Sequence, residues 1–157
     1  MNSEAAAGPG IRVPPPVFYL VALAIGTALE YLLWPIPVLE APSKYVIAYI
    51  LVIVSVLIMP PVLMRFRRAA TSFDVRKAAS SLITDGPYQF SRNPTYVSLT
   101  MLYLGIGILI NNGWVLILVL PVLLAMDLWV IRNKECHLEA KFGEQYLRYK
   151  RTVRRWL

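Results

Sequence analysis

The sequence of 157 residues contains a single cysteine, Cys136, and a single histidine, His137. One cysteine excludes an intrachain disulfide, and the adjacent histidine alone leaves a zinc site without its other ligands. A dinucleotide-binding fingerprint is also missing, because the glycines of GIG at 105–107 lie in an apolar run and not between a strand and a helix. Such glycines favour close packing of helices instead. The sequence therefore argues against a disulfide scaffold, a metal site and a soluble Rossmann-type enzyme.

Charged residues are absent from most of four long stretches. Apolar residues make up 57% of the chain, and the mean hydropathy is +0.56, which is typical of a membrane protein. The apolar spans lie at about 17–34, 44–64, 95–110 and 114–131, each near the ~20 residues that cross ~30 Å of hydrocarbon. We therefore expect an all-α, four-span membrane protein with a single domain over residues 1–157. Residues 1–13 are predicted to be a disordered lead, and residues 132–157 an amphipathic helical tail.

Basic residues are missing from the two loops on one side of these spans. Of the 16 lysines and arginines, all but Lys44 fall near the N-terminus, in the middle loop or in the C-terminal tail. The positive-inside rule then puts both termini and the middle loop in the cytoplasm. Topology and anionic head groups account for the net charge of +7, so that nucleic acid is not required as a partner.

The middle loop at 82–96 is the most informative stretch. Asp85-Gly86-Pro87 predicts a turn, and Asn93-Pro94 predicts that the third helix begins at or after Pro94. A polar loop of this kind is costly near lipid unless it folds over a ligand or against protein. We interpret it as half of a binding site. A second pair of prolines, Pro60-Pro61, predicts that the second helix ends or kinks there.

Aromatic and basic side chains on the predicted cytoplasmic side could supply that binding site. The loop and the tail both alternate tyrosines with arginines, which suits a charged, aromatic ligand from the cytosol together with a lipid partner. Tyrosines in an interfacial belt and arginines bound to head groups would give the same pattern. Spacing alone leaves both interpretations open.

Two motifs tip the balance towards a ligand site. They are GPYQFSRNPTY at 86–96 and, after two apolar spans, ECHLEAKFGEQYLRYKRTVRRW at 135–156. Together they resemble the isoprenylcysteine carboxyl methyltransferase family and, more broadly, the small integral-membrane methyltransferases that include the phospholipid N-methyltransferases, with bacterial members the most similar. The resemblance implies S-adenosylmethionine as methyl donor and a lipophilic acceptor that enters between helices. It also implies a multi-pass protein of the bacterial inner membrane.

The resemblance assigns roles that the chemistry of each side chain can fill. Tyrosine faces suit a sulfonium, Arg92 or Arg154 suits the donor carboxylate, and Glu135 could bind the donor or act as a base. Glu135 and Arg92 are the candidate catalytic residues. The candidate cofactor-binding residues are Gly86, Pro87, Tyr88, Arg92, Asn93, Tyr96, Glu135, Tyr146, Tyr149 and Arg154.

Two positions depart from the family's pattern. Asn93 stands where many members have a histidine, and Lys134 stands where many have the first of two glutamates. Asn93 can still donate and accept hydrogen bonds, so the change at Lys134 bears more on the acceptor than on the donor. The alternatives are a phospholipid or amine N-methyltransferase and a non-enzymatic tetraspan adaptor that retains the fold.

Overall fold

The structure is a computed structural model that describes residues 10–11, 13–69 and 79–157. Helices are the regular elements of these ranges, and no strand occurs in them, which confirms the all-α prediction. The predicted lead at 1–13 lies almost entirely outside the described residues. The helices are α1 (Pro15–Leu32), α2 (Ser43–Arg68), a 3₁₀ helix (Gly86–Gln89), α3 (Pro94–Leu109), α4 (Gly113–Ile117), α5 (Val119–Ala125), a π-helical segment (Met126–Ile131), α6 (Arg132–Phe142) and α7 (Glu144–Thr152).

Within residues 13–69 and 79–157, three helical stretches are long and apolar enough to cross a membrane. They are α1, α2 and the run Gly113–Phe142, which joins α4, α5, the π-helical segment and α6. The fourth apolar helix, α3, is shorter, with 16 residues. Their starts lie within one or two residues of the predicted spans. The crossing of four spans and the cytoplasmic position of the middle loop remain predictions.

Helix α2 does not end at Pro60-Pro61, so the predicted end is wrong, and the alternative of a kink there stays a prediction. The helix continues through both prolines to Arg68. Val62, one position beyond them, is fully buried in a cluster with Tyr88, Tyr146 and Tyr149. Packing of the last turns against this cluster offsets the cost of the missing backbone donors, as neighbouring segments do for prolines in membrane helices.

Small and hydroxyl side chains bring α2 and α3 close together. Ser55 Oγ donates to the backbone oxygen of Ser98 at 2.8 Å, and Ser98 Oγ donates to that of Ser55 at 3.0 Å. A Cβ on Gly105 would lie 2.8 Å from a methyl carbon of Val52. This confirms that the glycines of 105–107 serve close helix packing, since apolar lipid gives helices little other reason to associate.

Helix α1 packs on α3 and on the α4–α5 stretch from the other side. A Cβ on Gly26 would lie 2.8 Å from the Cα atom of Val115, so the two backbones are almost in contact. Tyr103 Oη donates to the backbone oxygen of Val115 at 2.7 Å. These contacts fix the long run 113–142 against the bundle and thereby the direction in which α6 leaves it.

Two glycines with positive φ redirect the chain towards one end of the bundle. Gly86 has φ +60° and opens the 3₁₀ helix, and Gly143 has φ +51° between α6 and α7. Glycine adopts these angles without the penalty of a Cβ. Helix α3 begins at Pro94, as its proline predicts. The loop, α6 and α7 therefore meet at the end of α2.

Candidate active site

Three segments that are distant in the sequence contribute side chains to one buried cluster, and the first of them, α2, contributes Val62. Tyr88 comes from the 3₁₀ helix, and Tyr146 and Tyr149, one turn apart on α7, pack against it. Tyr149 Oη donates to the backbone oxygen of Tyr88 at 2.7 Å. The loop and the tail predicted to form two halves of a site are therefore in direct contact.

A cavity lies between these segments and the first turns of α6. The cavity is partly open to solvent, and its volume is about 60 Å³, below the roughly 300–1,000 Å³ usual for a small-molecule site. A ligand of nucleoside size therefore requires a wall to move outwards, and residues 79 and 81–83 form the wall without regular structure. The other lining residues are Phe66, Tyr88, Arg92, Asn93, Lys134, Glu135, Leu138, Tyr146 and Tyr149.

Arg92 offers hydrogen-bond donors that this part of the chain does not use. Its side chain is only 9% exposed, and Nη1 lies 3.1 Å from Glu135 Oε1 as an ion pair. Yet neither Nη1 nor Nε forms a hydrogen bond with any residue that the structure describes. Buried guanidinium donors without acceptors are costly. An anionic group of a ligand in the cavity would accept a charge-assisted hydrogen bond from either of them.

Glu135 faces two guanidinium groups. Arg155 Nη2 donates to Glu135 Oε2 at 2.8 Å, and Arg155 Nε donates to Oε1 at 3.2 Å. Arg155 Nη1 also donates to both carboxylate oxygens of Asp127, at 3.1 and 3.2 Å. The hydrogen bond to Glu135 is the largest of the effects that raise the pKa of Arg155 above its usual range. Glu135 itself is 6% exposed, so its charge is compensated almost wholly by protein.

The backbone of the tail closes over the loop beside this ion pair. The Arg92 amide donates to the backbone oxygen of Arg154 at 3.0 Å, and Asn93 Nδ2 donates to that of Arg155 at 3.0 Å. Val153 is extended after the end of α7. Alternation along an extended segment then turns Arg155 inwards and leaves Arg154 exposed.

The two positions that depart from the family's pattern are in contact with each other. Lys134 Nζ donates to Asn93 Oδ1 at 3.1 Å and lies over the ring of Tyr96, 5.5 Å from its centroid. Since Asn93 Nδ2 is bound to the tail, the amide is held in the orientation that accepts from Lys134. Lys134 and Asn93 therefore form one structural pair and not two independent changes.

The tyrosines of the cavity remain neutral at ordinary pH. Burial raises the pKa of Tyr88 to about 12, although a hydrogen bond with Thr95 opposes the shift. Burial likewise raises the pKa of Tyr146 to about 12, with the negative charge of Glu135 adding to the effect. Burial also raises the pKa of Tyr149. Neutral rings present their negative faces to a cation without carrying a charge themselves.

The candidate residues divide into those that line the cavity and those that do not. Tyr88, Arg92, Asn93, Glu135, Tyr146 and Tyr149 line it. Gly86 supports the turn, where a Cβ would lie 2.8 Å from Arg65 Nε, and Pro87 follows it in the 3₁₀ helix. Tyr96 is buried below Lys134, and the side chain of Arg154 is exposed. The binding roles of all ten residues remain predictions.

Several residues in and beside the cavity were not candidates from the sequence. Arg155, which binds the lining residue Glu135, and its partner Asp127 are two of them, because spacing does not reveal where α7 ends and which of two adjacent arginines turns inwards. Lys134, which lines the cavity, is noted from the sequence only as a departure from the family's pattern. Phe66 and Leu138 supply apolar wall from α2 and α6. An apolar residue on a helix carries no signal that separates cavity wall from ordinary core.

Comparison with known proteins identifies the family of this arrangement. The family model described as phospholipid methyltransferase matches residues 43–145, which include α2, the loop, α3 and α6. An uncharacterized protein of Haemophilus influenzae is 37% identical over 62 residues, which are 40% of this chain and 98% of that protein. No solved structure matches the chain.

Proposed function

We propose that this chain, which belongs to the phospholipid methyltransferase family, transfers a methyl group from S-adenosylmethionine to a lipophilic acceptor. Family membership and membrane-length helices make it a membrane methyltransferase. The observation that supports the donor site best is Arg92, whose buried Nε and Nη1 lack hydrogen-bond partners among the described residues. S-adenosylmethionine, when bound, supplies an electrophilic methyl group on a sulfonium, and transfer of that group needs no activation by the protein.

The side chains of the cavity match the groups that such a donor carries. Arg92 would bind the donor carboxylate through its free donors. The rings of Tyr88, Tyr146 and Tyr149 would face the sulfonium, each cation–π contact contributing ~0.5–2 kcal/mol. Burial of these residues excludes water from the site. The chemical groups of the cavity therefore match those of the donor. Because the volume of the cavity is small, the wall at 79 and 81–83 must move outwards for the donor to enter.

Glu135 is better suited to binding than to proton abstraction. Both of its oxygens already accept hydrogen bonds from Arg155, and Arg92 faces the same carboxylate. A base needs a lone pair directed at the proton that it removes, and these contacts use one lone-pair site on each oxygen and hold the carboxylate in a fixed orientation. We therefore assign Glu135 to holding the donor or Arg92. If Glu135→Gln kept full donor affinity and lost only turnover, the base role would be favoured instead.

The acceptor is a lipid-soluble molecule, with a carboxylate of the isoprenylcysteine kind as one candidate. A carboxylate needs no base, which agrees with the occupied state of Glu135. A phospholipid amine is the second candidate, because the family model is that of the phospholipid methyltransferases. An amine must be deprotonated before it attacks, and the only carboxylate among the described lining residues is Glu135.

The experiment uses purified protein in nanodiscs, a donor labelled in its methyl group and a total bacterial lipid extract. We expect label in the organic phase that depends on intact Arg92, while Arg148→Gln, an exposed change on α7, transfers label as wild type does. Release of the label by mild alkali identifies an ester, and resistance identifies an N-methyl product. Absence of label from every lipid fraction would contradict the proposal and favour an adaptor.

We also propose that both termini face the cytoplasm in a bacterial inner membrane. Cys136 is the only cysteine of the chain and is exposed on α6. A membrane-impermeant maleimide should therefore label inverted membrane vesicles and leave intact spheroplasts unlabelled. Labelling of spheroplasts instead would reverse the orientation.

A further inference from the structure

We propose that Arg155 is the positioning residue of the donor site: it fixes Glu135 and seats the C-terminal tail over the loop that carries Arg92. The expected effect on donor affinity rests on the proposed function. The contacts that Arg155 makes within this chain do not depend on it. Neither the family match, which ends at residue 145, nor the spacing of the tail assigns a role to this residue.

The contacts of Arg155 join two carboxylates on different turns. Nη2 and Nε bind Glu135 at 2.8 and 3.2 Å, and Nη1 binds the two oxygens of Asp127 at 3.1 and 3.2 Å. Asp127 belongs to the π-helical segment and Glu135 to α6. Only a guanidinium offers donors on two edges of one rigid plane. An ammonium could serve one carboxylate well but could not bridge both in this way.

The same residue fixes the backbone next to the donor site. The oxygens of Arg154 and Arg155 accept hydrogen bonds from the Arg92 amide and from Asn93 Nδ2, both at 3.0 Å. Tyr146 and Tyr149, two walls of the cavity, lie on the helix that leads into this segment. Release of the tail would therefore free the backbone of Arg92 and loosen one side of the cavity.

The burial of the charged side chains shows why the contact with Arg155 matters for Glu135. Glu135 is 6% exposed, whereas Asp127 is 24% exposed and Arg155 33% exposed. Loss of Arg155 would leave Asp127 with Arg132 as a partner and with access to water. Glu135 would stay buried, with Arg92 as its sole ion-pair partner among the described residues. Arg92 would then turn its donors towards Glu135 and away from a ligand. Arg155 thus acts through Glu135 by keeping Arg92 available.

The test compares donor binding by calorimetry in Arg155→Gln, Glu135→Gln and the double variant, all in nanodiscs. We expect each single variant to weaken binding of S-adenosylmethionine at least tenfold. Because Arg155 acts through Glu135, the double variant should match Glu135→Gln within about twofold. A double loss equal to the product of the single losses would overturn the proposal and make Arg155 an independent structural residue. So would single Arg155→Gln binding within twofold of wild type.

Two further variants separate positioning from simple anchoring. Asp127→Asn removes the exposed partner of Arg155 and keeps Glu135, so we expect a loss of donor affinity below threefold; a loss equal to that of Arg155→Gln would contradict action through Glu135. Arg155→Lys keeps the charge without the fork and should bind donor between wild type and Arg155→Gln. Arg151→Gln, an exposed change on α7, is the matched control for removal of a tail cation.

Hydrogen exchange tests, without any donor, whether Arg155 holds the tail on the loop. The amide of Arg92 is protected by its bond to Arg154, and opening of the tail exposes it. We expect exchange of this amide to be at least tenfold faster in Arg155→Gln and unchanged in Arg151→Gln. If wild type binds no S-adenosylmethionine, the proposed function fails, but the exchange rate of the Arg92 amide still shows whether Arg155 holds the tail on the loop. Equal exchange in Arg155→Gln and wild type would overturn that role of Arg155.

Discussion

Reversal of the charge at Lys134 is a sharp test of the pair that replaces two positions of the family's pattern. Lys134→Glu removes the bond from Nζ to Asn93 Oδ1, 3.1 Å long, which as a charge-assisted bond contributes about 1.5–3 kcal/mol. It also sets a carboxylate against an amide oxygen that cannot turn away, since Asn93 Nδ2 is bound to Arg155. We expect a loss of roughly 2–3 kcal/mol in the free energy of unfolding, or about 4–12 °C in melting temperature.

Thermal unfolding in one detergent, followed by circular dichroism, measures the effect. Lys141→Glu is the control, because Lys141 lies exposed on the same helix, α6, and should shift the melting temperature by less than about 2 °C. Adding Asn93→His to Lys134→Glu provides a donor to the new carboxylate and should recover at least half of the loss. Equal shifts for Lys134→Glu and Lys141→Glu would refute the reasoning, as would strict additivity of the changes at 93 and 134.

Two other consequences follow from packing and burial. Gly105→Ala should destabilise the protein by about 1–3 kcal/mol, because its Cβ would lie 2.8 Å from Val52 and 3.1 Å from the backbone oxygen of Ala48. The control is Leu57→Ala, an exposed change on α2. Equal melting temperatures of the two variants would contradict close packing at Gly105. The tyrosines with raised pKa should stabilise the fold fully below about pH 10, and this contribution should be lost as the pH rises from there through about 12, where Tyr88 and Tyr146 ionise. Tyrosinate absorbance at rising pH measures this, and complete ionisation below pH 10 in the folded protein would contradict the burial.

Local rules predicted most of the helices and the ends of the middle loop. The apolar runs located the spans, Gly86 and Pro94 located the turn and the start of α3, and the glycines of 105–107 located a close helix contact. Each of these depends on a residue and its immediate neighbours. The prolines at 60–61 misled for the opposite reason. Their local preference is overridden by Val62, which packs against residues from the distant loop and tail.

The sequence predicts which residues form the site better than it predicts which of them contact each other. Tyr88, Tyr146 and Tyr149 do meet around one cavity with Arg92 and Glu135, whereas the predicted Tyr96 does not line it. The choice between Arg154 and Arg155 depended on the single extended residue at which α7 ends, Val153. The partnership of Asn93 with Lys134 spans 41 positions, and no periodicity relates residues so far apart. Long-range contacts of this kind appear only once the chain is folded.

Calorimetric binding of S-adenosylmethionine to the protein in nanodiscs decides whether the cavity is a donor site, with Arg92→Gln beside it and Arg148→Gln as control. We predict saturable, one-to-one binding that Arg148→Gln retains and Arg92→Gln weakens at least tenfold, because the buried donors of Arg92 would bind the donor carboxylate. Binding that is equally strong in Arg92→Gln would contradict that assignment, and absence of binding in wild type would contradict the methyltransferase itself.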